Sequence, residues 1–465
     1  SIPSVDEIRG KALEVFEKRP CLWQANVCQV VLGGNRDVIS IAGTGMGKTL
    51  TFWLPLLFRP NGVQIVITPL NILGQQNVET LRKARVESIF ISAQTESFIH
   101  YRAISSLRYR VIVASPEALM KSDGIFEQLF KDKLFMSTVI SIIIDEAHCI
   151  SQWGSFRPEY RDLGRLRYIQ RYPCPIMATS ATLTQDVIKD IKQVLDLRED
   201  RLFVSHCSID RPNISIVVRP IQNPRSSFFD LKFLLRDWQP GCAPPPTFLV
   251  FFDSIPESIQ AAEYLRRLLP LEYQDHIKWF NSRMSEHYKT VETEKLMNGE
   301  TWGLMATDAF GMGMDIPNIS TIVNWGASCS LSTIWQRFGR CVRNQALEGV
   351  AVLFTEKENL DPEREKKAGK AKQRKQSAQK KQGVDSSNKR QKAIATEFIK
   401  TEEPTVAQLN DLSSEDEQEA VTKQSNKSSK KRELDPNVDE LINAGYRGQT
   451  CRRIPIMSSF RNDQS

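Results

Sequence analysis

Two short segments, read together, constrain this chain more than anything else in it. The first is Ile41-Ala42-Gly43-Thr44-Gly45-Met46-Gly47-Lys48-Thr49, and the second, further along, is Ile142-Ile143-Ile144-Asp145-Glu146-Ala147-His148. Each follows or contains a β-branched apolar run, with Asp37-Val38-Ile39-Ser40-Ile41 leading into the first. Runs apolar on both faces suit the buried strands of a parallel sheet covered by helices. The glycine-rich turn after the first run has the form of a phosphate loop. Backbone N–H groups from Thr44, Gly45 and Gly47 turn inward, Lys48 brings a point charge to the β/γ-phosphates, and the Thr49 hydroxyl can ligate Mg²⁺. The second run delivers a carboxylate pair at its C-terminal end. There Asp145 is placed to hold the metal, and Glu146 to orient or deprotonate an attacking water. A lone phosphate loop matches by chance at an appreciable rate. The pair, in this order, implies hydrolysis of a nucleoside triphosphate.

The length of 465 residues suits two or three domains. A hydrophobic share of 41% and a charged share of 25% fit a globular protein with some polar excess. No apolar run approaches the roughly 20 residues needed to span a bilayer, so no membrane association is expected. Nothing at the N-terminus resembles a signal peptide. The chain begins at Ser1, which fits a fragment or a processed product. The nine cysteines include no Cys-x-x-Cys pair. That disfavours a zinc ribbon and a disulfide framework, and reduced thiols in an intracellular protein are expected. A net charge of +7 permits a polyanionic partner.

Residues 1–203 read as alternating strands and helices. Gln64–Thr68, Arg110–Ala114, Ser141–Ile144 and Pro175–Thr179 are short and β-branched, and Gln185–Leu195 is amphipathic at helical spacing. A second α/β unit covers residues 204–355, with Phe248–Phe252 as its expected first strand. Further strands are expected at Thr301–Thr307, Thr321–Trp325 and Val350–Phe354. Residues 356–432 are rich in Lys, Gln, Ser and Glu, too poor in apolar side chains to offset chain entropy, and read as a largely disordered, basic segment. Residues 433–465 form a short tail with a helix expected near Val438–Ile442.

Past the acidic pair, Cys149-Ile150-Ser151-Gln152-Trp153-Gly154-Ser155-Phe156-Arg157-Pro158-Glu159-Tyr160 crowds aromatics and an arginine into one loop. Such groups stack on and grip nucleic acid. Asp-Glu-Ala-His followed by this segment resembles the RecQ family of superfamily 2 DNA helicases. The fold this implies is two tandem RecA-like lobes with parallel sheets. In that resemblance Trp153, Phe156, Arg157 and Tyr160 belong to the aromatic-rich loop that senses single-stranded DNA. Arg19, Pro20 and Gln24 resemble the motif in which a glutamine reads adenine. Thr68-Pro69-Leu70 and Ser115-Pro116-Glu117 resemble strand-contacting motifs, which carries DNA contact onto Pro69 and Ser115. Ser180-Ala181-Thr182 resembles the link between the two sites, and Ser208–Asn213 the crossing into the second lobe. Ala306–Asp315 resembles the motif touching both DNA and nucleotide, with Thr307 and Phe310 on the DNA side and Asp315 on the nucleotide side. Gln336-Arg337-Phe338-Gly339-Arg340-Cys341-Val342-Arg343 matches the Gln-x-x-Gly-Arg-x-x-Arg pattern. Gln336 would contact nucleotide. Arg340 and Arg343, expected one helical turn apart on one face, would act as arginine fingers.

The chain departs from the family at three places. Ser155 alone stands where the loop usually carries His-Asp, and Asn344 replaces a flanking carboxylate. After Cys341 the only cysteine is Cys451, in Cys451-Arg452-Arg453, which resembles the start of the family's zinc domain. One thiolate cannot make a structural zinc site, so zinc is not expected, and the chain is either truncated or lacks the module. The basic segment is a solvated linker or a nucleic-acid contact, with Lys389–Lys392 and Lys427–Arg432 as nuclear-import candidates. The resemblance implies ATP with Mg²⁺, movement 3′ to 5′ on single-stranded DNA and partial duplexes, a repair or recombination role, and a nuclear location. Alternatives are an RNA helicase of the Asp-Glu-Ala-His kind and a nucleic-acid-binding scaffold with a weak motor. Protein partners are not legible.

Overall fold

The computed structural model describes residues 2–170, 172–235, 238–310, 319–344, 346–373 and 434–460. Ser1–Glu356 and Asp435–Ser465 form one compact unit, and Lys357–Leu434 a second.

The first sheet is built from β1 (Asp37–Ile41), β2 (Val63–Ile67), β3 (Ser88–Ile91), β4 (Val111–Ala114), β5 (Val139–Ile144), β6 (Ile176–Ser180) and β7 (Leu202–His206), in the order β3-β4-β2-β5-β6-β1-β7. Every pairing is parallel. Strands β1, β2, β4 and β6 are buried along their whole length. This is why they appear in the sequence as unbroken β-branched runs. Val38, Val66, Ile143 and Met177 pack from the sheet against Val27, Phe52 and Trp53 of the covering helices. The predicted amphipathic helix forms over Gln185–Val194 and buries Ile188 and Ile191. Strand β7 runs across the boundary drawn at residue 203 and pairs with β1 through His206.

The second sheet contains β8 (Ile214–Pro220), β9 (Phe248–Phe251), β10 (Ile277–Phe280), β11 (Gly303–Ala306), β12 (Thr321–Trp325) and β13 (Gly349–Thr355), in the order β10-β11-β9-β12-β13-β8, again all parallel. The expectation that Phe248 opens this unit is corrected, because β8 precedes it and forms the sheet's edge against β13. Past Ile214 it is only partly buried or exposed, which hides it from a search for continuous buried apolar runs. Phe228, Phe252, Trp325 and Phe354 meet in the aromatic part of the core.

Within the second unit, residues 361–373 are helical. Arg364 pairs with Asp361, and Lys366 with Glu363, one turn apart. The disorder expected over the rest of the charged segment falls on residues 374–433, outside the described residues. The tail returns as helices Pro436–Asn443 and Arg453–Ser459. Among the described residues, no helix is long and apolar enough to cross a membrane.

Candidate functional site

The phosphate-loop segment turns over the end of β1 and leads into the short helix Leu50–Trp53. Gly45 and Gly47 sit at φ +85° and +74°, where a side chain is disfavoured. At Gly47 a Cβ would also lie 3.0 Å from Gln24 Nε2. Gln24 is buried. It accepts from the Cys21 N–H at 2.7 Å, and its Nε2 donates to the Gly47 carbonyl at 2.9 Å, which ties the predicted adenine reader to the phosphate loop. Lys48 Nζ donates to the Ala42 carbonyl at 2.9 Å. Burial lowers the Lys48 pKa, Glu146 and Asp145 raise it, and Arg340 and Arg343 lower it further. The other four predicted catalytic charges thus all act on Lys48. Thr44 is half-buried, and Thr49 is exposed.

Strand β5 delivers the carboxylates. Asp145 Oδ1 accepts the Glu146 N–H at 2.9 Å. Glu146 stands at φ +49°, a left-handed conformation that a glutamate holds only when its surroundings impose it. Those surroundings are visible: Ala147 N–H donates to Thr179 O at 2.8 Å, and His148 Nδ1 lies 3.3 Å from Glu146 Oε2 and 3.0 Å from Ser180 Oγ. Burial alone would raise the Glu146 pKa, but the His148 hydrogen bond and charge, followed by Lys48, bring it below the ordinary carboxylate range. Asp145 moves the other way, raised by burial and then by the Glu146 charge, with Lys48 opposing. A carboxylate whose ionised form is penalised in this way gains from an adjacent cation. Mg²⁺ is commonly held by one or two carboxylates together with substrate phosphates. Asp145 and Thr49 at the phosphate loop fit that donor set.

From the second lobe comes the helix Leu331–Phe338, with Ser330 at its N-cap. Gln336 Nε2 donates to Thr182 Oγ1 at 3.0 Å, and Thr182 Oγ1 lies 3.0 Å from Ser332 Oγ, so the segment after β6 is bonded across the cleft. A Cβ at Gly339 would lie 3.2 Å from Thr44 Oγ1, bringing the turn after this helix against the phosphate loop. The expectation that Arg340 and Arg343 share a helix face is corrected. The helix ends at Phe338, and both arginines stand in the turn beyond it, where Val342 takes φ +29°. The carbonyls left over at that end are taken by Arg211, which donates to Gly339 O at 3.2 Å, Cys341 O at 3.0 Å and Val342 O at 2.7 Å.

Two groups escaped the sequence reading. Arg337, 3% exposed, donates to Asp253 and Asp308 at 2.8 Å each and to Asn324 Oδ1 at 2.6 Å, a satisfied network behind the finger turn. Only its place inside the Gln-x-x-Gly-Arg pattern marked it. Arg211 is the other, visible beforehand only as part of Ser208–Asn213.

Further along the chain from β5, Trp153 is half-buried and Phe156 is 65% exposed, with ring centroids 5.7 Å apart. Gly154 is needed there, because a Cβ would lie 2.8 Å from Ile150 O. Tyr160 is fully buried and meets Trp153 edge-on at 6.0 Å, so its ring supports the loop from inside. Arg157 is likewise engaged within the protein. It bonds Glu117 Oε1 at 2.5 and 2.8 Å and Pro69 O at 2.8 Å, and its guanidinium lies over Trp153 at 5.4 Å. It thereby joins the aromatic loop to both predicted strand-contacting segments. Pro69 is buried, and Ser115 caps the helix Pro116–Met120 by accepting the Ala118 N–H. In the second lobe Thr307 is half-buried, while Phe310 is 2% exposed and packs on Phe280 at 4.8 Å. Asp315 lies outside the described residues. Cys451 is exposed in the tail. His148, Trp153, Phe310, Gln336 and Arg340 line one cavity between the lobes, so the aromatic loop and the finger turn open onto a common space.

The DEAD/DEAH box helicase family matches residues 22–191, and the helicase conserved C-terminal domain matches residues 241–345. Among curated proteins, the ATP-dependent DNA helicase RecQ of Haemophilus influenzae is 31% identical over 339 residues, covering 72% of this chain and 50% of the relative. The probable ATP-dependent DNA helicase RecS of Bacillus subtilis is 27% identical, covering 69% and 61%, and the mouse ATP-dependent DNA helicase Q1 is 27% identical, covering 67% and 47%. The chain therefore spans about half the length of these relatives. Among solved structures, the DEAD-box helicase Mss116 bound to single-stranded RNA aligns with TM-score 0.60 at 20% identity, covering 77% of this chain and 76% of that one. The helicase MrfA bound to DNA aligns with TM-score 0.59 at 18% identity, covering 76% and 49%. At those identities the likeness is one of fold, a pair of RecA-like lobes. Taken with the two domain matches and the run of curated relatives, the sequence and the fold agree: this chain belongs to the RecQ family of superfamily 2 helicases.

Proposed function

We propose that this chain is an ATP-dependent DNA helicase or translocase of RecQ type, whose ATPase is stimulated by single-stranded DNA. The observation that carries the reading is the approach of the turn leading into Arg340 to the phosphate loop, where a Cβ at Gly339 would lie 3.2 Å from Thr44 Oγ1, with Lys48 of that loop feeling the charges of Asp145, Glu146, Arg340 and Arg343. In this reading ATP lies with its phosphates in the loop Gly43–Thr49 and its base near Gln24. Mg²⁺, held by Thr49 and Asp145, would neutralise charge on the β- and γ-phosphates. Glu146, kept ionised and turned by its left-handed backbone, orients a water and accepts its proton as oxygen attacks the γ-phosphorus. The bond to the bridging oxygen breaks, releasing ADP and phosphate. Arg340 and Arg343 stabilise the spreading charge, an effect worth roughly 10³–10⁵ in rate in other phosphoryl-transfer enzymes.

Trp153 and Phe156 lie a few residues beyond Glu146, and Arg157 fixes that loop to Glu117 and Pro69. Stacking of bases on Phe156 and Trp153 would thus be felt at the water-orienting residue. The Gln336–Thr182–Ser332 bonds would make and break as ATP closes the cleft, which ratchets a strand lying across both lobes. Movement 3′ to 5′, a repair or recombination role and a nuclear location complete the reading, supported by the family and by the basic segments Lys389–Lys392 and Lys427–Arg432. The test is ATP hydrolysis with no nucleic acid, with single-stranded DNA and with RNA of matched sequence. Stimulation by DNA above RNA is expected. Equal or greater stimulation by RNA would favour an RNA motor, and no hydrolysis in any condition would leave a binding scaffold.

A further inference from the structure

The turn that carries Arg340 and Arg343 is tied to its own helix through backbone N–H groups, Arg340 to Arg337 O at 3.1 Å and Cys341 to Phe338 O at 2.9 Å, while its own carbonyls are bonded from elsewhere. Its carbonyls at Gly339, Cys341 and Val342 are taken by the buried Arg211, and those at Val342 and Leu347 by Asn213 Nδ2, at 3.3 and 2.9 Å. Val342, β-branched at φ +29°, is held in that conformation by this support together with its own N–H bond to Ile319 O at 3.0 Å. The supporting segment Asp210–Ile214 is in turn gripped from the far end of the chain. Arg453 forms an ion pair with the Asp210 carboxylate through Nη1. Its Nη2 donates to Arg211 O at 2.8 Å, Pro212 O at 3.4 Å and Ile214 O at 2.5 Å. Asp210 Oδ1 also accepts the Arg211 N–H at 2.8 Å, so one carboxylate joins Arg453 to the residue that grips the turn.

The tail is built to present this arginine. Val438, Leu441, Ile442 and Ile456 are fully buried, and the neighbouring Arg452 takes the carbonyls of Leu441 and Ile442 at 2.9 and 3.1 Å. The tail clusters with the lobes although residues 357–434 intervene.

We propose that Arg453 is a positioning residue for the arginine fingers, and that residues 435–460 form a latch in cis that sets the catalytic rate through Asp210 and Arg211. The proposal rests on the reading of Arg340 and Arg343 as fingers. A guanidinium fork meets one carboxylate and several carbonyls at once, which an ammonium cannot reproduce. Loosening the latch should therefore weaken binding of the transition state while sparing the ground state.

The test uses the full chain with Arg453→Ala, Arg453→Lys, Arg340→Ala and Arg343→Ala. It reads kcat and KM for ATP, ADP affinity, trapping of ADP with aluminium fluoride, and melting temperature. Arg453→Ala should lower kcat and the trapping affinity about tenfold, with KM and ADP affinity within about twofold. Arg453→Lys should recover part of both and keeps the test open if the alanine variant folds poorly. Parent kcat and trapping in both Arg453 variants, alongside deficient Arg340→Ala and Arg343→Ala, would overturn the latch and leave the finger reading standing. A parallel fall in ADP affinity, trapping and melting temperature would also overturn it, since that pattern marks general loosening. Full activity in Arg340→Ala and Arg343→Ala would instead remove the finger reading itself.

Discussion

At the residue scale, neighbouring carboxylates on one strand end take opposite protonation tendencies. Glu146 has His148 and Lys48 as partners, whereas Asp145 meets burial and a like charge. Glu146→Gln keeps the shape and removes the proton acceptor. The expected outcome is retained ATP binding with kcat reduced by about 10² or more, read by single-turnover hydrolysis alongside nucleotide titration; turnover at the parent rate would exclude the water-orienting role. Arg337 makes a different prediction. Truncating it to alanine leaves Asp253 and Asn324 without their buried partner and should destabilise the second lobe by about 3 kcal/mol, measured by urea unfolding. The same network has a pH signature. Burial would raise the Asp253 pKa, but Arg337 and the Ser328 hydroxyl, which donates to it at 2.5 Å, bring it below the ordinary aspartate value of 3.8. A lowered acid pKa means stability fully present above about pH 4 and lost as pH falls through the folded-state value. Unfolding curves below pH 4 should show that loss in the parent and much less of it in Asp253→Asn.

At the element scale, the strands legible in the sequence were the interior ones. β1, β2, β4, β5, β6, β9, β11, β12 and β13 all have neighbours on both sides, and their buried faces leave largely apolar runs. β3, β7, β8 and β10 were not foreseen, and these are the edges of the two sheets. Ser88–Ile91 and Ile277–Phe280 are only partly buried, so they carry no such run. Similar logic covers the site. Motif residues at the ends of interior strands were pointed to by the phosphate-loop and acidic motifs and by the family resemblance. The geometry of Arg340 and Arg343 was not, because a helix end held by a remote guanidinium leaves no local signal. For the aromatic loop, burial separates roles that composition could not: Tyr160 is a support and Phe156 is presented to solvent. Phe156→Ala should raise the concentration of single-stranded DNA needed for half-maximal ATPase stimulation, by an amount matching roughly 1–3 kcal/mol for one lost stack. An unchanged half-point would remove that ring from the interface.

At the scale of the whole molecule, catalysis is assigned to the two lobes in the proposed function, and the charged segment between Thr355 and the tail is proposed as a separate handle on DNA. Replacing residues 374–433 with an equally long Gly/Ser chain keeps the tail attached and removes 13 lysines and arginines along with 10 acidic residues. DNA affinity measured by fluorescence anisotropy should fall at low salt, and its dependence on salt should flatten, since fewer counterions are released on binding. Affinity and salt slope equal to the parent would make that segment a passive linker.

The crossing from β7 to β8 is made by residues 207–213 alone. Fully extended, seven residues reach at most about 25 Å, so neither lobe can drift out of range of the other. Each presents its half of the catalytic charge to its neighbour at an effective concentration of order millimolar. Opening of the cleft is thereby an excursion and not a dissociation, and recapture after each turnover needs no search. Severing the chain at this crossing and mixing the two pieces at micromolar concentration should therefore abolish hydrolysis even with every side chain of the site intact.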